Sequence, residues 1–111
     1  MDNARKKELV REYKEQKAQP GIFAVRCTVS GQVWVAKAPD LAKRKSGLWF
    51  QLGMGGFPGK SLQDAWKTHG EAAFAFEILE EIKDDNELMI PVLSKEREAY
   101  WRQELKAEAL I

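Results

Sequence analysis

Gly21-Ile22-Phe23-Ala24-Val25-Arg26-Cys27-Thr28-Val29-Ser30-Gly31-Gln32-Val33-Trp34-Val35-Ala36-Lys37 is the stretch that decides the fold. Two runs rich in β-branched and aromatic residues, 22–29 and 33–37, flank Ser30-Gly31, a dipeptide suited to a tight turn. An antiparallel hairpin is expected here. Upstream, residues 2–17 alternate in charge around a narrow apolar stripe of Leu9, Val10 and Tyr13. Asp2 or Asn3 can cap that segment, and Gln19-Pro20-Gly21 ends it, so an accessory helix is expected over 1–19.

Downstream, Ala38-Pro39 breaks the second strand, and Asp40 is placed to cap a helix running from Leu41 to about Leu52. Residues 53–59 hold four glycines and a proline and read as a loop. Gly59-Lys60-Ser61 is not a phosphate-binding P-loop, because Met54 stands where that motif requires glycine. Ser61, with Asp64 three residues on, is expected to cap a helix over 62–69, with Leu62, Ala65 and Trp66 on its apolar face and Gly70 ending it. Residues 74–80 alternate as a third strand, placing Phe74, Phe76 and Ile78 on one face. A polar loop at 83–86 then leads to a last helix over 94–107, carrying Arg97, Tyr100, Trp101 and Leu105. Three strands covered by helices imply a small mixed α/β layer structure, one domain across the 111 residues.

Composition narrows the chemistry. The single cysteine, Cys27, leaves no partner for an internal disulfide and no thiolate cluster for zinc. No apolar run approaches the ~20 residues that span a bilayer, and the first residues are charged rather than signal-like, so a cytoplasmic location is expected. Net charge is only +1, but residues 21–60 carry six Lys/Arg against one acid, Asp40, and residues 61–111 carry six against twelve. Such an asymmetry is suited to a basic face that attracts phosphate.

The order and spacing of these pieces resemble the GIY-YIG endonuclease family. Pro20-Gly21-Ile22-Phe23 and, ten residues on, Trp34-Val35-Ala36 occupy the places of its two naming motifs. Asp40-Leu41-Ala42-Lys43-Arg44 is similar to its Asn/Asp-Leu-x-x-Arg helix start, and the run from Ser61 through Glu80 to its Leu-Gln-x-x-Trp…Phe-x-Phe-x-Ile-Leu-Glu pattern. Glu96-Arg97-Glu98-Ala99-Tyr100-Trp101 resembles its closing helix, so the likeness covers residues 20–105. It implies a three-stranded antiparallel sheet flanked by helices and hydrolysis of a phosphodiester with one divalent metal.

Transferred by position, the resemblance puts Phe23 and Trp34 at the two tyrosine places and Arg44 at the arginine that steadies phosphate. It puts Glu98 at the metal-binding glutamate, with Mg²⁺ as the cofactor of an active enzyme. Phe23 has no hydroxyl to hold or deprotonate water, and Trp34 offers only an indole N–H. Ala36 replaces the glycine of the second motif. General acid–base help is worth ~10²–10⁴-fold, so a nucleic-acid-binding domain with weak or lost phosphodiesterase activity is expected. Lys37, Lys43, Arg44, Lys45 and Lys60 are its contact candidates, with DNA as partner. Two alternatives stay open: an active Mg²⁺-dependent DNA endonuclease with a modified site, and a non-catalytic protein-interaction domain. On spacing alone, Glu98 is also an i, i+4 partner for Arg102. His69 is the sole histidine, and Trp49-Phe50, if exposed, would suit stacking on bases.

Overall fold

The computed structural model describes residues 18–111; the helix expected at the start of the chain falls outside the described residues. The hairpin forms as β1 (Gly21–Cys27) and β2 (Val33–Ala38), antiparallel, with Phe23 opposite Ala36 and Val25 opposite Trp34. Its turn is longer than Ser30-Gly31 alone. The Gly31 N–H returns to the Cys27 carbonyl at 2.9 Å, and glycine serves at the end of this turn because φ there is 79°.

β3 (Phe74–Glu81) pairs antiparallel with β1 on the other side, giving the three-stranded antiparallel sheet. A two-residue strand, β4 (Glu108–Ala109), extends it by pairing parallel with Trp34 and Val35, so the order is β3-β1-β2-β4. Nothing in a two-residue strand distinguishes it from coil in sequence.

Among the described residues, three α-helices cover the sheet: α1 (Leu41–Met54), α2 (Lys60–His69) and α3 (Ile90–Glu104). Asp40 caps α1 as expected, its Oδ1 accepting from the Ala42 N–H at 3.1 Å. Ser61 does not cap α2: the helix starts two residues earlier, after Gly59, and the Ser61 hydroxyl is engaged elsewhere. α3 begins four residues before the expected start, with Pro91 in its first turn, where a missing N–H costs nothing.

Because β1 is the inner strand, its alternate side chains fill two cores. Phe23, Val25 and Cys27 join Trp34, Leu48, Leu52, Leu62 and Trp66 under α1 and α2. Ile22 and Ala24 join Val35 and Ile82 against Leu93 and Trp101 of α3 and Leu105 just after it. Ile78 stands exposed on the edge strand instead of packing with Phe74 and Phe76. Gly21 sits where a Cβ would run into the Glu80 carbonyl and the Leu41 side chain, which is why only glycine fits at the start of β1.

Candidate functional site

Phe23 is fully buried. Its ring stacks on Phe76 with centroids 4.9 Å apart and planes 14° apart, and the Arg44 guanidinium carbon lies 5.9 Å from its centroid. Arg44 leaves the first turn of α1, and the Asp40 cap fixes that turn relative to the sheet. The structure therefore brings Phe23 and Arg44 together, as a cation over an aromatic face.

Trp34 is fully buried in the same core but turns its polar atom elsewhere. Its indole N–H donates to Ser61 Oγ at 3.3 Å, and that hydroxyl donates to Glu108 Oε1 at 2.8 Å. Gln32 Nε2 donates to the other Glu108 oxygen at 3.1 Å. These bonds tie the hairpin to α2 and β4. Neither ring lines a surface cleft.

Glu98 projects from α3 to the edge of β2. Its Oε2 accepts from the Lys37 backbone N–H at 2.7 Å, and its Oε1 pairs with Arg102 Nη2 at 3.2 Å. Arg102 Nη2 also reaches the Val35 carbonyl at 3.4 Å. The pair thus covers polar groups of β2 beside and beyond two-residue β4, a task every exposed strand edge poses.

The surroundings of Glu98 do not fit a Mg²⁺ ion. Both carboxylate oxygens are engaged, and a guanidinium sits where a divalent cation would be repelled. Among the described residues, no three His, Cys, Asp or Glu side chains gather closely enough to hold a metal. A cavity of about 720 Å³ opens beside Lys37, between the Pro20 and Ile82 backbones and Ser94 of α3. None of Phe23, Trp34, Arg44 and Glu98 is in its walls.

The basic candidates are at the surface. Lys37, Lys43, Lys45 and Lys60 are exposed and Arg44 is half-buried. Among the described residues none of the five is paired with a carboxylate, and Lys45 Nζ lies 5.8 Å from the Trp49 ring. His69 occupies the last turn of α2 and makes no side-chain hydrogen bond to another described residue. Trp49 is half-buried, edge-on to Trp66 at 5.3 Å and to Phe76 at 6.0 Å, while Phe50 is 69% exposed.

Two polar clusters, one part-buried and one buried, escaped the sequence reading. Glu80 Oε1 accepts from Arg97 Nε at 2.7 Å and from Trp101 Nε1 at 2.8 Å, locking β3 to α3. Burial alone would raise this carboxyl's pKa, but these two bonds and the Arg97 charge outweigh it and hold Glu80 below the usual carboxylate range. Gln63 is buried; it donates to the Leu52 carbonyl at 3.1 Å and accepts from the Phe57 N–H at 3.0 Å, clamping the glycine-rich loop. The only prior signal for Glu80 and Gln63 was their place in family-like motifs.

The fold and these positions have solved relatives. The catalytic domain of the homing endonuclease I-TevI superposes with a TM-score of 0.67 at 31% identity, covering 78% of this chain and 88% of that one. A point variant of that domain gives 0.68 at 31% identity, over 79% and 84%. The chain is also 33% identical over 88 residues to intron-associated endonuclease 1 of Enterobacteria phage T4. That match covers 79% of this chain but 34% of the relative, so the chain spans about a third of that protein's length. No protein-family model matches. An α+β architecture of a four-stranded sheet flanked by helices is the catalytic-domain fold of this class of nuclease. The chain belongs to the GIY-YIG endonuclease family. Among the described residues no helix is long and apolar enough to cross a membrane.

Proposed function

We propose that this chain is a nucleic-acid-binding GIY-YIG domain, its family core spanning residues 20–105, in which phosphodiester cleavage is weak or lost. The observation that carries the reading is the state of Phe23. It replaces a water-handling phenol with a ring that is sealed between Phe76 and Arg44 and has no hydroxyl. Water activation of that kind contributes ~10²–10⁴-fold in enzymes that have it. Glu98 supports the same reading, since its carboxylate serves a strand edge and an arginine rather than a cation. GIY-YIG endonucleases are generally metal-dependent, and Mg²⁺ chemistry at this position would require Glu98 to release both partners.

Retention of nucleic-acid binding rests on Lys37, Lys43, Arg44, Lys45 and Lys60, which carry no carboxylate partner among the described residues. Intron and homing endonuclease relatives make DNA the natural polyanion. Fluorescence anisotropy with a labelled DNA duplex across a salt series tests the reading. Affinity should fall steeply with salt, by a log–log slope of about 0.9 per phosphate contact, as counterion release requires. A duplex that does not bind at low salt would leave a protein-interaction role as the better account.

A further inference from the structure

We propose that the solvent face of α1 is a stacking platform for unpaired nucleic-acid strands, with Phe50 as the ring on which a base lies and Lys43, in the same row, as its phosphate contact. This rests on the nucleic-acid-binding reading and narrows it to a strand state.

The face is defined by spacing. Lys43, Gly47, Phe50 and Met54 recur at i, i+4, i+7 and i+11, which places them in one row on the side away from Leu41, Leu48 and Leu52. Phe50 and Met54 are 69% and 73% exposed, whereas adjacent Trp49 is turned into the core. Phe50 stacks on no other aromatic ring among the described residues. A phenyl ring held in water forgoes its burial, and with Met54 it leaves an apolar strip along this row of α1.

Charge says what covers it. From Leu41 to Gln63 the sequence contains Lys43, Arg44, Lys45 and Lys60 and no acid at all. A polyanion with flat apolar faces complements that surface, and a base-bearing strand is one. Lys43 and Phe50 are seven residues apart, about 10.5 Å along the helix at 1.5 Å per residue. That is the rise of about three stacked nucleotides at 3.4 Å each.

Gly47 supports the same occupant. It lies in the helix interior between Lys43 and Phe50, and a Cβ built there meets nothing within 4 Å. Internal packing does not require this poor helix former. Its effect is to leave the surface flat beside the phenyl ring. In a duplex both faces of each base are already covered by neighbouring pairs, so a ring on a helix face can meet only edges. Unpaired bases offer the faces that Phe50 needs, with little regard to sequence.

The test is anisotropy of the full chain with four labelled 12-nucleotide probes: oligo-dT, oligo-U, an all-abasic deoxy strand, and a duplex. Phe50→Ala should weaken dT and U binding about tenfold, the scale of one lost base–aromatic stack. Binding to the abasic strand and the duplex should stay within about twofold. Phe50→Trp should restore dT and U binding, and Lys43→Ala should weaken all four probes. Wild-type binding to every probe with no Phe50→Ala effect, or an equal loss on the abasic strand, overturns the platform while leaving nucleic-acid binding intact. Failure of the wild-type chain to bind any probe overturns both.

Discussion

Glu98 Oε2 lies 2.7 Å from the Lys37 backbone nitrogen, so the Glu98 carboxylate caps the open edge of β2. Its removal should therefore be felt in folding. Glu98→Ala leaves an edge N–H without its protein acceptor and the partly buried Arg102 without its counter-charge, at a cost of ~1–2 kcal/mol. Glu98→Gln keeps a carbonyl oxygen for Lys37 and should lose about half as much. Urea denaturation of the three proteins checks this; equal stabilities would mean the contact carries no weight in solution.

Glycine positions should respond in opposite directions. Gly21→Ala forces a methyl group against the Glu80 carbonyl and Leu41, and overpacking of this kind costs ~1–3 kcal/mol. Gly47→Ala meets open space in a helix interior and should stabilise by ~0.5–1 kcal/mol. Thermal melts of both variants test the pair, and a destabilised Gly47→Ala would contradict the geometry of α1.

Acid should loosen the β3–α3 junction. Glu80's pKa is lowered in the folded chain: burial opposes this, but the bonds from Trp101 and Arg97 prevail. A depressed folded pKa means the stabilisation is fully present above the unfolded carboxyl's pKa. It is lost as pH falls through the folded value. Wild-type stability should thus fall more steeply on acidification than that of Glu80→Gln, measured by chemical denaturation at successive pH values. Parallel curves would show that Glu80 does not titrate this way.

The hairpin, the Asp40 cap, the third strand and the end of α2 at Gly70 were legible because local rules and tertiary packing agree there. Ser61 was misread as a cap because Trp34 and Glu108, 27 and 47 residues away, compete for its hydroxyl. The early start of α3 was hidden by Pro91, which breaks a helix interior but suits a first turn. At the site, residue identities were readable and engagement was not. Sequence offered Glu98 both Arg102 and a metal, and only the position of β2's edge shows where its second oxygen goes.

Adding a phenol at position 23 alone should not raise cleavage. Phe23→Tyr returns a hydroxyl to the first motif, yet Glu98 keeps its two partners. Cleavage of labelled DNA by Phe23→Tyr in Mg²⁺ should stay at the wild-type level; a gain of 10²-fold or more would show that the missing hydroxyl was the sole defect.

The most direct measurement is cleavage by the purified wild-type chain itself. End-labelled duplex and single-stranded DNA, incubated with increasing Mg²⁺ at a salt concentration where binding is saturated, should yield at most trace product over a protein-free control. Robust Mg²⁺-dependent strand scission that disappears in a folded Glu98→Gln variant would contradict the account.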